Sequence, residues 1–346
     1  MISETVLDFL MLSEVTLLLA SVAVFFMHGA WLFFHKRRHE RLISDARQRL
    51  ARLLTRSTVD PEDVLELKKL PRRVQVAVFL ELSQNVSGAG KERLRFLAGE
   101  ISLLTRARKF AQSRRWRRRL RGARLLARMD VSDPVVERLL RDSHPAVRAQ
   151  AAEWGAAQPS LPVVNEMLGM LADPATMARF AVQDALLRMG AIVIDPLARF
   201  LGSHSGEPAE YGLKVAEALA GPRFLPAGIR FSTSNDPILR AHAAHLLGAI
   251  GDVSAASKLV QMLSDPDPEV RAAAARGLGR MRYWQAAASL AKSLCDSTWR
   301  VRRESGLALR AIGAPGVLLL RRALKGSDKF AADMAQLILD LPATAG

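Results

Sequence analysis

Cysteine is almost missing from this chain: Cys295 is the single one in 346 residues. One thiol cannot close an intramolecular disulfide, which excludes the small stapled scaffolds of secreted proteins and points to a reducing compartment for most of the chain. Cys295 itself is expected as a small buried apolar residue. Aromatic residues are also scarce, at 6%, and β-branched runs are few, which weighs against a sheet-rich fold. Catalytic signatures are missing as well. No GxxxxGK[ST], HExxH, GxSxG or CxxC motif occurs, so nothing marks a phosphate loop, a zinc hydrolase, a nucleophile elbow or a dithiol centre. No catalytic residue, cofactor or metal site is expected. His242 and His245 (HAAH) stand one helical turn apart and could share a metal, but no third ligand converges in sequence, and surface histidines are the expectation. His35 and His39 sit in a basic cluster that disfavours a cation.

What is abundant is Ala, Leu and Arg, the residues that lose least on entering a helix, within an apolar content of 49% that is ample for a core. The formal charge of +16 is concentrated. Residues 35–128 hold 26 Lys and Arg against 9 Asp and Glu, whereas residues 129–346 hold 24 against 22. A nucleic-acid-binding array would spread its positive charge along its length, so nucleic acid is disfavoured as a partner.

The stretch Val15–Phe34 (VTLLLASVAVFFMHGAWLFF) has no formal charge over twenty residues. At 1.5 Å per residue it is long enough to cross a hydrocarbon core of roughly 30 Å. Acidic residues precede it and bulky Trp31, Phe33 and Phe34 end it, unlike a cleaved signal peptide. His28 and Gly29 interrupt it and are candidate contacts with a second membrane helix. Lys36, Arg37 and Arg38 follow at once, which sets the N-terminus outside and the remainder in the cytoplasm. From Glu40 to Arg56 the spacing of Leu42, Ile43, Ala46, Leu50, Leu53 and Leu54 predicts that the helix continues. Asp60-Pro61 marks a new start. The expected organisation is a periplasmic end and membrane span over 1–34, a basic juxtamembrane helix over 35–60, a cap over 61–97, and about eight helical repeats over 98–346.

The repeats declare themselves by a 31-residue period. Arg117, Arg148, Arg179, Arg240, Arg271 and Arg302 fall at that step, with one 61-residue double step whose slot lies near Glu210. Three residues after the ladder position come Ala151, Val182, Ala243, Ala274 and Ser305; seven after come Leu186, Leu247, Leu278 and Leu309; eleven after come Gly190, Gly251 and Gly313. Asp267 before Pro268 suits a helix cap, small and Leu positions share one helix face, and Gly suits the left-handed end. Shorter apolar helices over 255–263, 285–294 and 317–324 alternate with them, so the fold class is all-α, with a single transmembrane helix followed by an α-solenoid. Residues 191–235, with Pro208, Pro222 and Pro226, are degenerate.

The Asp-Pro loop followed by Val-Arg and an Ala/Leu/Gly helix resembles HEAT repeats of the short bacterial kind, well over 236–313 and moderately over 131–190. The resemblance implies that each Arg contacts an acidic residue of a neighbouring repeat, which would make Arg148, Arg179, Arg240, Arg271 and Arg302 structural.

The densest basic feature is Arg114-Arg115-Trp116-Arg117-Arg118-Arg119-Leu120-Arg121. Trp116, Leu120, Ala123 and Ala127 are expected to form its apolar face. Arg114, Arg115, Trp116, Arg118, Arg119 and Arg121, with Lys36, Arg37 and Arg38, are candidates for binding an acidic partner surface, a phosphate-bearing ligand or anionic inner-leaflet lipid. The expected function is a scaffold or regulatory subunit of the bacterial inner membrane. Its partner would be an integral-membrane protein, with a polysaccharide synthase or other glycosyltransferase as one candidate. The alternatives are a HEAT-like enzyme of the lyase or DNA-glycosylase type and a lipid-surface tether.

Overall fold

The computed structural model describes residues 4–56 and 59–342; within the first helix the side chains of residues 4–16, 19, 32, 34, 35 and 39 lie outside the description, and with them His35 and His39. The described residues are helices and connections, with no strand. They form two compact units, residues 1–131 and 132–346.

The first unit begins with α1 (Glu4–Thr55), an unbroken helix of 52 residues. Its C-terminal part buries Ala46, Leu50 and Leu53 against helices that follow: α2 (Pro61–Lys69), α3 (Arg72–Leu82) and α4 (Gly88–Glu100). Asp60 precedes α2 as its cap residue, with Pro61 in the first turn. Then come α5 (Leu103–Ala111) and α6 (Trp116–Arg128). These two pack so closely that a Cβ at Gly122 would lie 2.6 Å from the Ala107 carbonyl oxygen. That approach fixes which side of α6 is buried. Gly122, Ala123, Leu125 and Leu126 face inward, whereas Trp116, Leu120 and Ala127 are only half-buried, so the expected apolar face is rotated toward α5.

In the second unit short helices alternate with long ones. The pairs are α7 (Pro134–Arg138) with α8 (Pro145–Ala157), α9 (Leu161–Gly169) with α10 (Thr176–Met189), and α11 (Ile194–Ser203) with α12 (Gly206–Leu219). They continue as α13 (Leu225–Phe231) with α14 (Pro237–Ile250), α15 (Ala256–Met262) with α16 (Pro268–Arg280), α17 (Ala287–Lys292) with α18 (Trp299–Ile312), and α19 (Ala314–Ala323) with α20 (Lys329–Asp340). Each long helix packs on the next long one, giving two layers. The degenerate stretch 191–235 keeps this pattern as α11, α12 and α13.

The sequence columns build the core between the layers. Ala151, Val182, Ala243, Ala274 and Ser305 are wholly buried, as are Leu186, Leu247, Leu278 and Leu309. Gly190, Gly251 and Gly313 take φ of 65°, 74° and 91° and end their helices, a conformation that costs residues with a Cβ. Asp267 accepts hydrogen bonds from the Glu269 and Val270 amides and starts α16. The array is closed at its end by Arg310, which donates to the carbonyls of Ile338, Leu341 and Pro342 at 2.7, 2.7 and 2.9 Å and so satisfies orphan acceptors at the end of α20.

One expectation is corrected. Cys295 is exposed, not buried. It ends the short 3-10 turn Ser293–Cys295 before α18, beside Asp328, where partial desolvation and then that carboxylate push its thiol pKa up. Among the described residues no helix is long and apolar enough to cross a membrane. The expected span at 15–34 is therefore not recovered from them, and five of its twenty side chains, at 15, 16, 19, 32 and 34, lie outside the described set.

Candidate functional site

The ladder arginines share one local geometry. Each stands in the first turn of a long helix and turns back on the loop before it. Arg148, Arg179, Arg240, Arg271 and Arg302 donate through Nη1 to the carbonyl six residues earlier, at 2.7, 2.7, 2.9, 2.8 and 2.7 Å. Three then reach a carboxylate twenty-five residues on, in the loop of the following repeat. Arg148 grips Asp173 at 2.5 and 2.7 Å, Arg240 grips Asp265 at 2.8 and 2.8 Å, and Arg271 grips Asp296 at 2.7 and 2.9 Å. These are bidentate, largely buried pairs. Such geometry is among the stronger polar contacts a protein makes.

The aspartates serve twice, because Asp173, Asp265 and Asp296 also accept from the amides of Ala175, Asp267 and Thr298. Burial raises their pKa, but the arginine and amide hydrogen bonds outweigh it and hold all three carboxyls below the usual range. Two rungs are built differently. Twenty-five residues after Arg179 stands His204, and after Arg302 stands Ser327. Arg179 meets the exposed Glu207 at 3.3 Å and lies over the Tyr211 ring. Arg302 lies over the Phe330 ring at 5.1 Å. In both, the buried Nε has no acceptor. The aspartate column was missed in the sequence, although Asp142–Asp173 and Asp265–Asp296 each keep the 31-residue step.

A second polar stripe runs across the long helices. Glu304 of α18 is buried and accepts from Arg276 at 3.1 and 3.1 Å and from Arg303 at 2.8 Å. His242 and His245 of α14 are half-buried, not surface residues. Burial, then the charge of Arg276, lowers His245 to about 4. Burial and then Lys214 lower His242, against the pull of Glu210. Both imidazoles are therefore neutral at pH 7, but their ring centres are 6.3 Å apart. Among the described residues no group of three or more His, Cys, Asp or Glu could hold a metal.

The candidate binding residues of the first unit sit on separate elements. On α1, His28 is exposed and stacks on Trp31 with ring centres 6.1 Å apart, and Gly29 faces open space. Lys36, Arg37 and Arg38 are exposed, with the Arg37 guanidinium 4.5 Å from the Phe33 ring centre. Arg114 and Arg115 occupy the exposed turn before α6, Arg118 and Arg121 are exposed on it, and Trp116 is half-buried. Arg119 is engaged locally, donating to the Ser113 and Arg114 carbonyls at 3.1 and 2.9 Å.

Against known proteins, residues 256–337 match the family model described as HEAT repeats. This stretch, with its Arg–Asp rungs and paired helices, decides the fold. Residues 256–337 are similar to HEAT repeats, and the rest of the second unit is an all-α array of the same paired-helix pattern. Among solved structures, an engineered protein is 16% identical, with a TM-score of 0.33, over 82% of this chain and 98% of its own. Kap121p is 11% identical with a TM-score of 0.44 over 88% of this chain, and a triple mutant of it is 12% identical with the same score. The chain spans 46% of the length of Kap121p. No curated protein sequence matches it. The same rung geometry occurs upstream of the matched stretch, at Arg240 and Arg148.

Proposed function

We propose that this HEAT-repeat protein is a non-catalytic scaffold of the bacterial inner membrane. The apolar part of α1 inserts in the bilayer with its N-terminus outside and contacts an integral-membrane partner. The cytoplasmic array then holds that partner's soluble region. One observation carries the reading: every described side chain from Leu17 to Phe33 is exposed. Phe25, Phe26 and Met27 are each at least two-thirds exposed, at 75%, 70% and 67%. A stretch whose described side chains are mostly apolar and all exposed is suited to lipid or to another apolar helix. The undescribed positions in the stretch are Val15, Thr16, Leu19, Leu32 and Phe34, none of them charged. Exposed Lys36, Arg37 and Arg38 follow where cytoplasmic positive charge belongs. Repeat arrays present extended surfaces and work by binding, and a glycosyltransferase is one candidate partner.

The test is purification from native membranes in mild detergent, with and without replacement of residues 15–34 by an unrelated transmembrane segment. One integral-membrane protein recovered in near-equal amount, and lost on replacement, is the expected result. A chain that leaves the membrane in alkaline carbonate, or arrives alone after crosslinking, would overturn the reading.

A further inference from the structure

A cavity of about 660 Å³ opens between α3, α5 and α6, a size that suits a small ligand. Five cations line it: Arg72 and Arg73 from α3, Arg106 and Lys109 from α5, and Arg121 from α6. No carboxylate lines it, and its apolar wall comes from Val76, Ala77, Leu103 and Phe110. Elsewhere in the same unit the cations find acids, as in Arg47–Glu81, Arg56–Asp63 and Lys91–Asp130. None of the five has such an ion pair among the described residues. Arg106 is half-buried and the other four are exposed at the rim, and their mutual repulsion is what a bound anion would offset.

Two further features make the arrangement look built for an anion. Arg72 and Arg73 occupy the first turn of α3, which holds no acidic residue, although the helix dipole favours negative charge there. Arg106 is held in place: Nη2 donates to Gln75 Oε1 at 2.6 Å and to the Ile101 carbonyl at 3.0 Å, and Nε to the Ser102 carbonyl at 3.2 Å. Gln75 is itself buried and fixed by its bond to the Leu67 carbonyl at 2.9 Å. Burial, and after it the Arg72 charge, lowers the Arg106 pKa.

We infer that this cavity binds a phosphate-bearing ligand with an apolar moiety, the phosphate among Arg72, Arg73 and Arg106 and the apolar part against Leu103 and Phe110. Guanidinium forks match phosphate oxygens in pairs, and a doubly charged group offsets several cations where a single carboxylate would not. The site is distinct from the exposed turn at Arg114 and Arg115, and it does not depend on α1 entering a membrane. Two sources share this chemistry, a lipid phosphate monoester and a nucleotide.

The experiment titrates the full chain, in a nonionic detergent, with short-chain phosphatidic acid, AMP and inorganic phosphate, read by calorimetry and thermal shift. Saturable binding of phosphatidic acid or AMP, about tenfold or more tighter than inorganic phosphate, is the expected result. Phosphatidic acid alone would identify a lipid source, AMP alone a soluble one, and both would support the shared chemistry. The pair Arg73→Gln and Lys109→Gln should weaken it at least about tenfold while leaving the unliganded melting temperature equal or higher, because repulsion is relieved. Arg321→Gln with Arg322→Gln, exposed on α19, should leave it unchanged. Absence of saturable binding, equal weakening by both pairs, or inorganic phosphate binding as tightly as the amphiphiles would overturn the inference.

Discussion

The two units treat their arginines in opposite ways. In the repeat array Arg148, Arg240 and Arg271 are each matched by an aspartate twenty-five residues on. In the first unit Arg72, Arg73, Arg106, Lys109 and Arg121 gather around one cavity with no acid among its lining. The same side-chain type joins neighbouring repeats in one region and stands available for an incoming anion in the other. What separates the roles is the position of the nearest carboxylate in the chain, not the local density of positive charge.

Removing a carboxylate from a closed rung should have the largest effect. Asp296→Ala strands the guanidinium of Arg271 and removes the acceptor of the Thr298 amide. A loss of about 3 kcal/mol is expected in urea unfolding, and a shift no larger than that of an exposed pair would dissolve the distinction between the units. Acid should destabilise the array in two stages. His245 falls from 6.5 to about 4 in the folded state, so the unfolded chain binds its proton first. Stability is full above pH 6.5 and declines on the order of 2–3 kcal/mol as pH falls toward 4. The carboxyls of Asp173, Asp265 and Asp296 are lowered, so their contribution is lost only below the usual carboxylate range. Melting curves of His245→Gln should show a smaller first stage, since His242 is lowered too, and keep the second.

A smaller gain should follow from closing an open rung. Ser327→Asp offers Arg302 the acceptor its Nε lacks, with an expected stabilisation of about 1 kcal/mol in the same unfolding assay. The smallest effect belongs to Asp184→Asn, which removes the carboxylate beside the exposed Arg188; its transition midpoint should not move measurably. A large shift there would mean that exposed pairs, too, organise the array.

The repeating part of the fold was legible because its period is regular. Arg, the small residue at +3, Leu at +7 and Gly at +11 each fall where the packing needs them, and the degenerate stretch with Pro208, Pro222 and Pro226 still forms helix pairs because its apolar spacing survives. The rung aspartates escaped notice because they lie one loop away from the arginines they serve, and because His204 and Ser327 interrupt their column. The apolar spacing of α6 places Ala123 correctly but leaves the buried face rotated, since the contact that orients it, Gly122 against α5, depends on a small residue rather than an apolar one. The cavity of the first unit was out of reach for a different reason. Its cations come from three helices, and no spacing within one helix announces that they converge.

The rungs also have a mechanical meaning. Each closed rung ties a long helix to the loop that launches the next one, so a pull along the array is passed from repeat to repeat through a two-pronged ionic clasp. At Arg179 and Arg302 that clasp is replaced by contact with an aromatic ring and, at Arg179, by a reach to the exposed Glu207. Stretched in an optical trap, the array should therefore yield first at these two seams and leave the block from Arg240 to Asp296 as the last to open, since repeat arrays unfold according to the strength of nearest-neighbour junctions.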